Sequence, residues 1–226
     1  MNASNDTSAF ARAREAMVEQ QVRPWDVLDN RVLAVMARLP RDAFVADAYR
    51  AVAYADLELP IGHGETMMKP VVEGRMLQAL ALQPGDEVLE IGTGSGYIAA
   101  CLGQLAGAVL SIERHADLAE AARARLDATG LGGNVTVEVA DAMAFDNGRS
   151  FDAVCVTGAV DTIPAHFVRW LRPGGRMFVV HGRAPAMQAA LLNANGDAVN
   201  AARLESLFET ELPYLAGAAP VPQFNW

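Results

Sequence analysis

Cysteine is scarce in this chain, with two in 226 residues. Neither Cys101 nor Cys155 has a second thiol or a clustered histidine at metal-ligand spacing. A disulfide framework and a zinc ribbon are therefore excluded, no metal is expected, and both residues read as buried thiols of a reducing compartment. Basic charge is also short: 18 Lys and Arg stand against 27 Asp and Glu, a formal net charge of −9 and a pI near 4.9. A chain of that sign does not gather phosphate backbones, so nucleic acid is not an expected partner, while a small molecule or a protein is. No apolar run is long enough to cross a bilayer, and the polar N-terminus holds no secretion-signal core. The expectation is a cytoplasmic protein with no membrane association. Internal repeats, low-complexity tracts and linkers are missing too. With 52% hydrophobic residues, residues 1–226 suffice for one domain with a substantial core.

What is present is most informative at Val88-Leu89-Glu90-Ile91-Gly92-Thr93-Gly94-Ser95-Gly96-Tyr97. A short apolar run of this kind reads as a buried parallel strand. The three alternate glycines then form a turn whose backbone can approach a ligand closely, since no Cβ intervenes. A dinucleotide fingerprint places a glycine or alanine where this chain has Tyr97. A P-loop requires a lysine that does not follow Gly96. The remaining pattern, G-x-G-x-G behind a strand ending in Glu, is that of S-adenosylmethionine (SAM) methyltransferases, in which the loop packs against the methionine portion of the cofactor. A ligand-free glycine turn is the plain alternative. Two further acids extend the pattern. Glu113 closes the next strand pattern, Ala108–Glu113, about twenty residues beyond Gly92, the spacing at which a carboxylate accepts from ribose hydroxyls. Its charge also favours a sulfonium. Asp141 follows the run Val135–Ala140, where such folds place an acceptor for the adenine amino group; alone it is a weak signal, because Asp is common at turns.

Along the chain, elements alternate. Ser8 to Gln21 has an amphipathic helix pattern with Phe10, Ala13 and Met17 on one face. Asp29 caps a helix over Arg31 to Leu39, stopped by Pro40, and Arg41 to Tyr54 reads as another helix. Leu57 to Ile61 is extended, and Gly62 to Lys69 reads as a loop. Pro70 opens a helix to Leu82. From the strand at Val88 onward, strand and helix alternate, which requires a parallel sheet covered on both faces. Asp117 to Thr129 is a helix closed by Gly130. Phe151 to Thr157 is a strand, Pro164 to Leu171 a helix, and Pro173-Gly174-Gly175 a turn into the strand Arg176 to His181. Asn195-Gly196 signals a hairpin between Met187 to Ala194 and Val199 to Phe208, although periodicity alone also allows a helix over Met187 to Asn193. The fold expected is a doubly wound α/β, Rossmann-like, mainly parallel sheet. It ends in an antiparallel hairpin, with extra N-terminal helices and a substrate loop over 1–82 and a cofactor-binding core over 83–226.

Several blocks together resemble one family. Met17-Val18-Glu19-Gln20-Gln21, Asp29-Asn30-Arg31-Val32-Leu33, Leu39-Pro40-Arg41 with Phe44-Val45, and Tyr54 through Ile61 recur in order. Val88 through Tyr97, Ser111-Ile112-Glu113-Arg114 and Leu171 through Arg176 follow. The chain resembles the protein-L-isoaspartate O-methyltransferases, repair enzymes that methylate the abnormal α-carboxylate of isoaspartyl residues in damaged proteins. The resemblance spans roughly residues 15–182, and its N-terminal blocks are what make it specific. It implies SAM as cofactor, contacts from Glu90, Gly92, Thr93, Gly94, Gly96, Glu113, Arg114, Asp141 and Ala142, and a protein or peptide substrate bearing isoaspartyl residues. It leaves the oligomeric state open.

The chain departs from the family in the loop over the reaction site. Family members carry Gly-Gln-Thr-Ile-Ser-Gln-Pro, and this chain has Gly64-Glu65-Thr66-Met67-Met68-Lys69-Pro70. Thr66 is kept, but the serine beside the acceptor carboxylate is matched by Met68, whose thioether donates no hydrogen bond. Thr66 and Met68 are thus the candidate catalytic positions. Glu65 brings negative charge to the loop, and Lys69 offsets it locally. The family's Gly-Asp-Gly is Ala140-Asp141-Ala142, which keeps the acid. A carboxylate acceptor is already ionised at neutral pH, so no general base is needed and no histidine or cysteine constellation is expected. His63, the only histidine in this loop, reads as a solvated loop residue, with assistance to an acceptor as the alternative, and His115, His166 and His181 read as structural or surface residues. Met67 and Met68 either pack under the loop or touch an apolar acceptor. Two other readings stay open: a different peptide or small-molecule acceptor on the same scaffold, and a catalytically silent protein that binds SAM or S-adenosylhomocysteine.

Overall fold

The computed structural model describes residues 3–194 and 202–221. Five strands run parallel: β3 (Glu87–Ile91), β4 (Ala108–Glu113), β5 (Val135–Val139), β6 (Phe151–Val160) and β7 (Leu171–Arg183). Two more, β8 (Ala186–Asn193) and β9 (Arg203–Thr210), extend the sheet antiparallel from β7, giving the order β5-β4-β3-β6-β7-β8-β9. The order reverses between β4–β3 and β6, which opens a crevice at the carboxyl ends of β3, β4 and β6, where doubly wound folds bind ligands. The Asn195-Gly196 turn expected between β8 and β9 lies outside the described residues; the pairing of Asn193 with Arg203 fixes the register on either side of it.

Strand alternation divides the core between the two faces of the sheet. Val88, Val109, Cys155, Phe178 and Val180 pack into one hydrophobic cluster, and their neighbours Leu89, Leu110, Val154, Met177 and Val179 into the other. Helices cover the first face: α1 (Ala3–Met17), α2 (Asn30–Arg38), α3 (Pro70–Leu80), α4 (Tyr97–Leu105) and α5 (Ala116–Thr129) all contribute to its cluster. The short α6 (Ala165–Arg169) covers the second face through Phe167. Asp29 caps α2 by accepting from the Arg31 N–H at 2.8 Å, and Gly130, at φ 68°, closes α5. Both are as the sequence predicts.

Two N-terminal expectations are corrected. Arg41 to Tyr54 is not one helix but two short 3₁₀ turns, Arg41–Ala43 and Asp47–Val52, separated by an extended Ala46. The cause is Arg41, a fully buried guanidinium that bonds the Ala53 carbonyl at 2.8 Å, so the segment wraps around it instead of running straight. The stretch Gly62 to Lys69 is not simply a loop. Its first part folds back as a hairpin of β1 (Leu59–Gly62) and β2 (Glu65–Met67), with Leu59 paired to Met67. His63 and Gly64 turn it at φ 55° and 81°, the positive φ at both central residues that the tightest hairpin turns require. A third difference is one of extent: β7 begins at Leu171 and absorbs the Pro173-Gly174-Gly175 turn, with Gly174 at φ 77°.

Candidate active site

The crevice above the sheet is a cleft of about 670 Å³ measured to its open mouth. Its floor is the turn after β3. Gly92 sits at φ 89°, and a Cβ there would lie 2.5 Å from the Thr157 hydroxyl; Gly94, at φ 52°, would bring a Cβ to 3.0 Å from Ile61. Thr157, at the C-terminal half of β6, donates to the carbonyls of Ile91 and Gly92 at 2.8 and 2.7 Å. These contacts leave bare backbone facing the cleft at both glycines, a surface that a ligand can meet at close range.

Glu113 stands at the carboxyl end of β4 on the adjoining wall. Its two carboxylate oxygens accept from the backbone N–H groups of Gly94 at 2.9 Å and His115 at 3.0 Å. A carboxylate with two oxygens has lone pairs left over for a ligand's hydroxyls. Asp141 and Ala142 line the far side, and Asp141 accepts from the Met143 N–H at 2.9 Å, which fixes its turn. Arg114 also reaches the cleft, as do Glu65 and Thr66 from the hairpin. Three carboxylates against one guanidinium make the cleft acidic, which suits a cationic ligand.

Four of the sequence-predicted positions lie behind this wall instead of on it. Glu90 is fully buried; it accepts from the Ser111 hydroxyl, which is itself 2.5 Å from the Thr93 hydroxyl. Glu90 and Thr93 thus form a relay that ties β3, β4 and the glycine turn together. Burial pushes the Glu90 carboxyl up to about 8, with the Ser111 hydrogen bond opposing. Gly96 packs against Ala122 of α5, where a Cβ would come within 3.2 Å. Met68 is 4% exposed and belongs to the core cluster, and its carbonyl accepts from Arg41 at 2.7 Å. Its side chain fills the core beneath the hairpin and not the cleft.

Sequence reasoning missed part of the lining. Thr157 lies at the switch point of the sheet, and a strand ending there was itself a signal. Pro213, Tyr214, Leu215 and Ala216 close the cleft from the segment after β9, which the sequence marks only by Leu212-Pro213-Tyr214. Pro213 and Tyr214 also border a second, larger groove, which is lined by Lys69, Arg75, Phe208 and the acids Asp56, Glu58, Glu209 and Glu211. Lys69 therefore projects away from the glycine turn and not over it. The histidine of the hairpin is not isolated. The His63 Nε2–H donates to Asp117 at 2.8 Å, and the His63 ring stacks on His115 with centroids 4.0 Å apart.

Comparisons with known proteins agree with one another. The family model for protein-L-isoaspartate(D-aspartate) O-methyltransferase (PCMT) matches residues 12–208. A Rhodopseudomonas palustris protein named protein-L-isoaspartate O-methyltransferase 1 is 40% identical over 215 residues, which cover 95% of this chain and 87% of the relative. A Methylorubrum extorquens protein-L-isoaspartate O-methyltransferase is 46% identical over 173 residues, 76% of this chain and 75% of the relative. In fold, the chain superposes with a TM-score of 0.76 on a Plasmodium falciparum β-aspartate methyltransferase (PCMT) crystallised with S-adenosyl-L-homocysteine. The identity there is 17%, and 89% of this chain and 97% of that one are covered. A second solved protein-L-isoaspartate O-methyltransferase matches with a TM-score of 0.77 at 24% identity, over 91% of this chain and 66% of its own.

Proposed function

The chain belongs to the protein-L-isoaspartate(D-aspartate) O-methyltransferase family, and we propose that it transfers the methyl group of SAM to the carboxylate of isoaspartyl residues in proteins. One observation carries the reading: Glu65 and Thr66 of the acceptor hairpin line the same cleft as Gly92, Gly94 and Glu113. Donor and acceptor chemistry therefore share one enclosure.

The residues present fit the cofactor. Gly92 and Gly94 offer backbone where a Cβ would clash with Thr157 or Ile61, room for the methionine portion. Glu113 is the acceptor for the ribose hydroxyls and Asp141 for the adenine amino group, with Ala142 and Arg114 completing the wall. Glu90, Thr93 and Gly96 hold the turn in shape from behind. When bound, SAM supplies an electrophilic methyl group on a sulfonium. The protein's own task is alignment and the exclusion of water, a contribution that reaches roughly 7–11 kcal/mol when reacting groups are well oriented. An acceptor carboxylate needs no base at neutral pH. In this reading Thr66, which lines the cleft, supplies the hydroxyl that orients it, while Ile61, Tyr214 and Leu215 shield the site. Residues 1–226 act in this reading as one catalytic unit. Among the described residues, no helix is long and apolar enough to cross a membrane, and a protein substrate is the expected partner.

A second reading keeps the scaffold and changes the acceptor. Glu65 favours it, because a carboxylate on the cleft wall repels an anionic acceptor and welcomes a neutral or cationic one. Transfer of tritiated methyl from SAM to an isoaspartyl peptide, set beside its aspartyl counterpart, separates the two. Label on the isoaspartyl peptide alone is expected. Label on neither, with SAM bound in calorimetry, overturns the isoaspartyl assignment and leaves another acceptor or a catalytically silent SAM-binding protein.

A further inference from the structure

We infer that His63, His115 and Asp117 form a binding site for a divalent transition-metal ion, zinc being the first to test, and that the bound ion pins the acceptor hairpin to the lip of the cofactor cleft. The three residues come from two places in the chain. His63 is at the tip of the β1–β2 hairpin, His115 caps the start of α5, and Asp117 lies in the first turn of that helix. One ligand atom from each lies within 4.8 Å of the others. A tetrahedral zinc ion with bonds of about 2.0–2.1 Å holds its ligands roughly 3.3 Å apart. Closure therefore draws the ligand atoms in by up to about 1.5 Å and turns one imidazole out of the His63–His115 stack, so that both ring nitrogens point at one ion. The side chains of His63 and Asp117 are 39% and 69% exposed and free to move.

The His63–Asp117 hydrogen bond accounts for two of the three groups. It does not account for His115, whose ring lies parallel to that of His63 within 12° and whose ring nitrogens have no hydrogen-bond partner among the described residues. A metal ion uses all three. It replaces the proton that His63 Nε2 now donates to Asp117, takes the second imidazole, and leaves a fourth position for water. Two imidazoles with one carboxylate select zinc, nickel, cobalt or copper over magnesium or calcium, which prefer oxygen throughout.

Position gives the site its consequence. His115 lines the cleft, and its backbone N–H is held by Glu113, the proposed ribose acceptor. The hairpin that carries His63 also carries Glu65 and Thr66. An ion at this point joins the acceptor side to the cofactor side and slows the opening of one from the other.

The test uses the full chain freed of metal with a chelator and titrated with zinc chloride by calorimetry, with cobalt as a visible-absorption probe of coordination. One equivalent is expected to bind. His63→Ala and His115→Ala are each expected to weaken binding by about tenfold or more, with urea midpoints reporting that the fold is intact. Zinc should slow hydrogen exchange at the amides of residues 59–67 in the parent and not in His63→Ala. No saturable binding with zinc in large excess overturns the site, and so does binding that survives in the His63→Ala/His115→Ala double variant. Binding without slowed exchange in the hairpin overturns the pinning.

Discussion

Arg41 and Glu73 meet in a two-pronged ion pair, Nη2 to Oε1 at 3.0 Å and Nε to Oε2 at 3.1 Å, with neither side chain more than 1% exposed. The same guanidinium donates to the carbonyls of Ala53 and Met68 and lies 5.4 Å from the centre of the Tyr97 ring. One side chain thereby joins the start of α3, the helix after the glycine turn and both ends of the segment that contains the acceptor hairpin. Burial raises the Glu73 carboxyl above its ordinary range, and the Arg41 guanidinium opposes it.

Arg41→Met strands Glu73 as an unpaired buried acid, a loss of about 3–5 kcal/mol. Arg41→Met with Glu73→Leu removes the stranded charge but leaves the Ala53 and Met68 carbonyls without their donor. The double variant is therefore expected to recover part of the loss and not all of it. Urea unfolding of parent, single and double variants checks this. A double variant as unstable as the single one means that the charge is not the cause.

Glu90 predicts a pH dependence of stability. Its folded carboxyl titrates near 8 against an ordinary 4.5. Between those values the folded chain holds a proton that the unfolded chain has released. Stability therefore falls as pH rises through that window, at about 1.4 kcal/mol per unit for this one group. Glu90→Gln keeps an acceptor for the Ser111 hydroxyl and cannot ionise. The variant is expected to gain on the parent by a few kcal/mol between about pH 5 and pH 8. Equal differences in urea midpoint at the two pH values would show that Glu90 titrates normally.

The cofactor turn predicts two losses of different origin. Gly92→Ala drives a methyl group to 2.5 Å from the Thr157 hydroxyl at a φ of 89°, so it is expected to cost SAM affinity tenfold or more, about 1.4 kcal/mol. Glu113→Ala removes the proposed ribose acceptor and also releases the Gly94 and His115 N–H groups, for about 1–3 kcal/mol of binding. Glu113→Gln, which keeps one acceptor oxygen, is expected to lose less. Calorimetry that finds Glu113→Ala unchanged would falsify the ribose assignment.

The parts of this design that were legible in the sequence are those written in neighbouring residues. Asp29 two positions before Arg31, Gly130 after Thr129, and alternate glycines behind Val88–Ile91 are local signals, and each produced the expected structure. The parts that were not legible depend on partners distant in the chain. Arg41 meets Glu73 32 residues later, and in the sequence it is only the first residue of a helix pattern. His63 meets Asp117 across 54 residues. Glu90 enters as a cofactor contact only through the family resemblance, and the fold reveals that it points inward to Ser111. The direction of Met68 was equally hidden, since a sequence match pairs positions and not side-chain orientations.

Met68 therefore carries the sharpest test. The resemblance alone suggests that Met68→Ser, with Glu65→Gln and Lys69→Gln, restores a hydroxyl beside the acceptor and raises turnover. The geometry argues otherwise. Met68 is 4% exposed in the core cluster, its carbonyl is fixed by Arg41, and Lys69 faces the second groove. A serine here leaves a void and buries a hydroxyl, so the single variant is expected to lose about 2–5 kcal/mol of stability, as core methionine truncations do. It should not accelerate methyl transfer. Glu65→Gln alone acts on the cleft itself, and it is expected to improve the KM for an isoaspartyl peptide by relieving repulsion of the acceptor carboxylate. Single-turnover kinetics and urea unfolding on the two variants decide between these accounts. Faster transfer in Met68→Ser at unchanged stability would mean that the side chain at position 68 reaches the cleft during the reaction.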